Sequence, residues 1–186
     1  SAQGMPGARA AAHRMASQNP GYFLPRIFEN QASVRWYRAT FAQEILDAVQ
    51  GQIDAFVAAV GTGATITGVG GALKAKHPKL KVIAVEPKVS PVLSSGRAGE
   101  HRIPGIGADF VPPLLDRKLI DQVIAVSDED AYLYADRLAN EEGILAGPSS
   151  GANLCAALQV AQQLGQGNQV VTVLPDMAER YSGLAL

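Results

Sequence analysis

IDAFVAAV at 53–60 runs directly into GTGAT at 61–65 and then into ITGVGGALK at 66–74. The near-continuous apolar run is the mark of a strand buried on both faces, and the glycines predict a tight turn feeding a helix that ends near Lys76. Buried-strand patterns return at 81–85 (KVIAV), 122–126 (QVIAV) and 169–174 (QVVTVL). Helical patterns fill the gaps. The segment 127–142 opens with Ser127 followed three residues later by Asp130, a capping-box arrangement, and 149–164 closes on Gly165 as its C-cap. This alternation predicts an α/β fold of three layers, a mostly parallel sheet with helices on both faces and ligands at the carboxyl ends of the strands. The turn at 61–65 lies at such an end.

Toward the N-terminus, Ala, Arg and His support a helix over 5–17, which Asn19-Pro20-Gly21 should stop. Residues 22–30 read as irregular or extended. Trp36, Phe41, Ile45 and Val49 recur at helical spacing and predict a helix over 35–49, ended by Gly51. The Gly-, Pro- and Ser-rich stretch 87–113 is too long for a simple connector and predicts a site loop with a short helix inside.

Composition narrows the function classes. At 186 residues, 47% hydrophobic and 18% charged, the chain can bury a sizeable core, as one domain or one domain plus a piece of another. Sixteen Lys and Arg against seventeen Asp and Glu leave a net charge of -1, so no charge excess points to nucleic acid or an anionic membrane. There is no apolar leader pattern and no uninterrupted membrane-spanning run, so a cytoplasmic location is expected. The lone Cys155 cannot form an internal disulfide and reads as a small core residue. His13, His77 and His101 are too scattered for a metal site and read as surface residues. The chain opens Ser1-Ala2-Gln3-Gly4 without an initiator methionine, which is consistent with a fragment.

A strand, then Gly61-Thr62-Gly63-Ala64-Thr65, then a helix presents several backbone N–H groups and a positive helix end to one point, with threonine hydroxyls as extra donors. That suits a phosphate monoester. A ligand-free tight turn is the plain alternative. A Walker A loop fails, because Gly68 is followed by Val69 and not by lysine. The dinucleotide fingerprint fares better, since Glu86 closes the next strand where a ribose-binding acid would sit, but its third glycine is Ile66. A dinucleotide-binding domain is therefore the runner-up. Gly147-Pro148-Ser149-Ser150-Gly151 matches the G-x-S-x-G nucleophile elbow in form only, because every histidine precedes Ser149.

Taken together, GTGATITGVGGALK at 61–74, VEPKVSPVLSSG at 85–96, PGIGADFVPPLLD at 104–116, EEGILAGPSSGAN at 141–153 and LPDMAERY at 174–181 resemble the cysteine synthases, or O-acetylserine sulfhydrylases. Cystathionine β-synthases, also fold-type II pyridoxal-phosphate (PLP) enzymes, share much of this pattern. The resemblance implies that residues 1–30 are the tail of the smaller N-terminal domain and 31–186 the larger PLP-binding domain. It implies that Gly61, Thr62, Gly63, Ala64 and Thr65 hold the PLP phosphate and that Ser149 hydrogen-bonds the pyridine nitrogen. A neutral hydroxyl there makes the cofactor a weaker electron sink than a carboxylate would, favouring β-elimination and β-replacement over transamination. Gly105, Ile106 and Gly107 would lie near the substrate amine, and 90–92 in the mobile stretch before them.

The implied reaction is O-acetyl-L-serine plus sulfide to L-cysteine plus acetate, by a homodimer able to bind serine acetyltransferase. In the family the Schiff-base lysine lies upstream of the counterpart of Ser1, and Lys74, Lys76, Lys79, Lys81, Lys88 and Lys118 all read as exposed charges. No catalytic residue is thus assigned, and the chain alone is expected to be inactive. Ile27 stands where the family places a glutamine that contacts the substrate carboxylate. Ala64, Asp109, Pro148 and Met177-Ala178 also depart from the pattern. These departures keep open a cystathionine or diaminopropionate-type synthase, and a non-catalytic partner-binding homologue.

Overall fold

The computed structural model describes residues 4–181. Its helices are α1 (Gly4–Gln18), α2 (Gln31–Trp36), α3 (Ala42–Ala48), α4 (Ala64–Lys76), α5 (Val92–Ser95), α6 (Asp128–Glu142) and α7 (Pro148–Leu164). Strands β1 (Ala55–Ala59), β2 (Lys81–Pro87), β3 (Gln122–Val126) and β4 (Val170–Thr172) form one parallel sheet in the order β3-β2-β1-β4.

Period-two alternation sorts the strand side chains between two cores. On one face Val57, Val85, Ile124 and Val126 meet Ala152, Ala156 and Val160 of α7 and Ala131 of α6. On the other, Phe56, Ala58, Val82 and Ala84 meet Ile66, Val69 and Leu73 of α4. Helices thus cover both faces, as the sequence predicts. Because the chain steps from β1 to β2 to β3 and then returns to the far side of β1, the strand order reverses between β1 and β4. Such a switch point opens a crevice at the carboxyl ends of the strands.

The crevice has a specific cause. β2 follows β1 as far as Ala59, whereas β4 pairs with it only from Ala55 to Val57. Beyond that point Asn153 of α7 takes the place of a strand, its Oδ1 accepting from Ala59 N at 2.7 Å and its Nδ2 donating to Val173 O at 2.8 Å. The fourth strand is accordingly shorter than the predicted 169–174. This insertion also fixes the start of α7 at the carboxyl edge of the sheet.

The helix expected over 35–49 starts earlier, at Gln31, because Asn30 caps it by accepting from Ala32 N at 3.0 Å. It continues through a π-helical segment, Tyr37–Phe41, into α3. The crossing with α4 falls at Gly68, where a Cβ would lie 2.7 Å from Val34 O and 2.6 Å from Tyr37 Cβ. Gly68 serves helix packing. Helix α1 contains no fully buried residue. It is attached through the Arg9–Glu29 ion pair and through Arg9 over Phe110, 5.4 Å from the ring centroid, which in turn meets Phe28 edge-on. Among the described residues no helix is long and apolar enough to cross a membrane.

Candidate functional site

The first helical residue after β1 is Ala64, preceded by Gly63 at φ +83°. Thr62 Oγ1 accepts from Ala64 N at 3.3 Å and Gly63 O from Thr67 N at 3.1 Å, and the N–H groups between them at the start of α4 have no intrahelical carbonyl to bond. These donors lie just beyond the carboxyl end of β1. The glycines have a second reason to be there. A Cβ on Gly61 would run into the Gly105 carbonyl oxygen, and one on Gly63 would lie 2.9 Å from Leu115 Cβ. Small residues in the turn therefore let two other loops close over it.

One of those loops is 105–107. Gly107 N donates to Val60 O at 3.1 Å, and Ile106 is buried in the core shared with α7. The turn and this loop, far apart in sequence, are thus in contact. The other loop is held by Thr67, whose buried hydroxyl donates to Leu114 O and accepts from Asp116 N, both at 2.9 Å. The sequence reading assigned no role to Thr67 or Asn153. A buried polar side chain amid an apolar helix face is the signal that could have found them.

At the start of α7, Gly147 is the N-cap and Pro148 the first helical residue. Ser149 is 3% exposed and Ser150 fully buried, with Ser150 Oγ lacking a partner among the described residues. Gly147 N donates to Asp176 O at 3.1 Å, and Tyr181 donates its phenolic proton to the Asp176 carboxylate. Burial, reinforced by Asp176, pushes the Tyr181 phenol up to about 12. A loop rather than a strand precedes Gly147, so the G-x-S-x-G match lacks the strand–turn–helix context of a nucleophile elbow.

Ile27 is 58% exposed and lines a groove of about 280 Å³ with Met5, Ala8 and Phe28, between α1 and the 24–29 segment. Two sequence expectations need correction. Lys74 is not a free surface charge: its Nζ lies 2.6 Å from Asp121 Oδ2 and ties α4 to the entry of β3. Burial raises the Asp121 carboxyl, but Lys74 and the Val82 N–H together outweigh it and hold the group below its usual range. His101 is not a surface residue either: half-buried, it bonds Gly107 O and Ile103 N, because its loop folds back on itself. Cys155 is buried in the core, where burial pushes its thiol up.

Glu86 decides against the dinucleotide runner-up. Its carboxylate is 2% exposed and accepts from Leu93 N, Ser94 N and the Ser94 hydroxyl, so its lone pairs cap the short α5 instead of facing a ribose. Among the described residues no three His, Cys, Asp or Glu side chains gather to hold a metal.

A parallel α/β sheet whose switch-point crevice is bordered by two helix N-termini, one with a glycine-threonine turn and one with buried serines, defines a domain for a phosphorylated ring ligand. The chain belongs to the pyridoxal-phosphate dependent enzyme family, which it matches over residues 2–176. It is 46% identical over 180 residues to a cysteine synthase of Staphylococcus aureus (strain Mu50 / ATCC 700699), covering 96% of this chain and 58% of that protein. An O-acetylserine dependent cystathionine β-synthase from Helicobacter pylori superposes with a TM-score of 0.92 at 39% identity, covering 99% of this chain and 60% of that one. A cysteine synthase from Entamoeba histolytica superposes with a TM-score of 0.91 at 38% identity, covering 98% and 54%. The chain thus spans somewhat more than half the length of these relatives.

The family's cofactor is pyridoxal phosphate, and the residues present fit it. The turn offers N–H donors and hydroxyls but no carboxylate that would repel a phosphate dianion. The unpartnered buried Ser150 hydroxyl and its neighbour Ser149 put neutral hydroxyl groups at the head of α7, suited to a ring nitrogen.

Proposed function

We propose that this chain forms the larger, cofactor-binding part of a cysteine synthase-type β-replacement enzyme that converts O-acetyl-L-serine and sulfide into L-cysteine and acetate. The observation that carries this reading is the contact between the 61–65 turn and the 105–107 loop in the switch-point crevice, in a chain whose relatives include proteins named cysteine synthase. In this reading Gly61, Thr62, Gly63, Ala64 and Thr65 hold the phosphate through N–H and hydroxyl groups at the positive end of α4. Ser149 orients the ring through its nitrogen. Gly105, Ile106 and Gly107 border the substrate amine, and Ile27 stands on the segment facing the substrate carboxylate. When bound, the cofactor supplies an electron sink for carbanion chemistry at the amino-acid α-carbon.

Residues 1–30 are assigned to the smaller domain and 31–186 to the larger one, in a cytoplasmic homodimer. No lysine of this chain is assigned to the Schiff base, since Lys74 is ion-paired and Lys76, Lys79, Lys81, Lys88 and Lys118 are exposed. Titrating the purified 186-residue chain with PLP should show saturable binding that Thr65→Ala weakens, without cysteine formation above the free-cofactor background. Absence of binding would sink the cofactor assignment. Cysteine formation abolished by Thr65→Ala would overturn the expected inactivity.

The exposure of Ile27 in an apolar groove favours a second reading, a partner-binding homologue that takes the C-terminal peptide of serine acetyltransferase. Saturable peptide binding by a full-length protein that shows no Schiff-base absorption band would support it. The likeness to the Helicobacter pylori protein makes homocysteine the nucleophile to test beside sulfide.

A further inference from the structure

The sequence places His101 outside every motif assigned to the cofactor, yet its ring closes the loop that covers the phosphate turn. Ile103 N donates to His101 Nδ1 at 3.2 Å, so Nδ1 must carry a lone pair and the proton resides on Nε2. Nε2, 3.1 Å from Gly107 O, is then a donor to that carbonyl. Gly107 is consequently held from both sides, its N–H on Val60 O and its C=O on His101. At φ +66°, a Cβ on Gly107 would lie 2.5 Å from His101 Nε2 and 2.8 Å from Pro87 Cγ. The imidazole therefore sits directly over a backbone that has no room for a side chain.

The base of the loop is anchored as well. Arg102 N donates to Asp128 Oδ2 at 2.9 Å, and Tyr132 donates to Arg102 O at 2.7 Å, both at the start of α6. With 102 fixed to α6 and 107 fixed to Val60, the residue after β1, the ring of His101 spans the loop between them, and the Gly105 carbonyl lies against Gly61. We propose that His101 is a positioning residue that tethers Gly107 and so holds the 105–107 loop against the 61–65 turn in the geometry that receives the cofactor phosphate. The proposal rests on the cofactor reading above, but its mechanical part does not.

The test compares His101→Ala, His101→Asn and His101→Gln in the 186-residue chain. Asn can keep the short-range bond to Ile103 N but cannot reach Gly107, whereas the Gln amide can reach Gly107 O. Hydrogen exchange at the Ile103 and Gly107 amides reads the tether directly. Titration with PLP and with pyridoxal, which lacks the phosphate, reads its consequence. Ala and Asn should speed exchange at Gly107 and weaken PLP about tenfold, the effect of one lost hydrogen bond, while Gln stays within about twofold and pyridoxal binding is unchanged throughout.

Unchanged Gly107 exchange in His101→Ala would overturn the tether. Full PLP affinity in His101→Asn would overturn it too, since the local bond to Ile103 would then suffice. Equal losses for PLP and pyridoxal would assign His101 a general structural role instead. If the parent chain binds no PLP, the phosphate reading fails while the exchange arm still decides the tether.

Discussion

The carboxyl-edge crevice and the N-terminal segment 4–30 are held together in opposite ways. In the crevice, buried polar groups with two partners each do the joining: Asn153 links β1 to the residue after β4, and Thr67 links α4 to 114–116. The N-terminal segment instead rests on a half-exposed ion pair, a cation–ring contact and the edge-on packing of Phe28 against Phe110, with Tyr22, Phe23 and Ile27 turned to solvent. Buried hydrogen bonds fix geometry because leaving them unmade is costly, whereas an exposed ion pair is worth little. A site that must hold a phosphate needs the first kind of join.

Four substitutions can break or sharpen that contrast. Asn153→Ala should have the largest effect, roughly 3 kcal/mol off the unfolding free energy, because Ala59 N and Val173 O both lose their partner. Urea denaturation measures it, and a loss below about 1 kcal/mol would mean that water replaces the amide at no cost. Gly61→Ala follows at about 2 kcal/mol, since its methyl meets the Gly105 carbonyl and one backbone must move. PLP affinity should fall with it; a stable variant with parental affinity would show that the two loops are not coupled.

Lys74→Met is expected to cost roughly 1 kcal/mol or less near neutral pH. The Asp121 carboxyl is held below its unfolded value, so its contribution is present above that value and lost as pH falls through the folded one. The gap between parent and variant should therefore close on acidification through the carboxylate range, and a pH-independent gap would refute the linkage. Arg9→Ala closes the series: the unfolding midpoint should hardly move, while proteolysis within α1 accelerates. A large drop in midpoint would erase the difference between the two regions.

Much of the sheet was readable from the chain because its signals are local. Apolar runs, glycine stops and the Ser127 cap, with Asp130 N on Ser127 Oγ at 3.0 Å, each depend on neighbours a few residues away. Glu86 shows the limit of such reading. At ribose-acid spacing it resembles a dinucleotide ligand, and only its bonds to Leu93 and Ser94 reveal a cap. His101 looks like a surface residue and Lys74 like a free surface charge for the same reason, since their partners lie on folded-back or distant segments.

The sequence by itself determined the α/β alternation, the strand-to-helix turn at 61–65 and the resemblance to cysteine synthases, because periodicity, glycine placement and ordered motifs are properties of contiguous residues. Only the tertiary structure decided which loops close on that turn, that Asn153 bridges Ala59 and Val173 where β4 ends, and that Ile27 lines a groove with α1. Those outcomes depend on bonds between residues as far as 94 positions apart, and no local pattern encodes a partner at that distance.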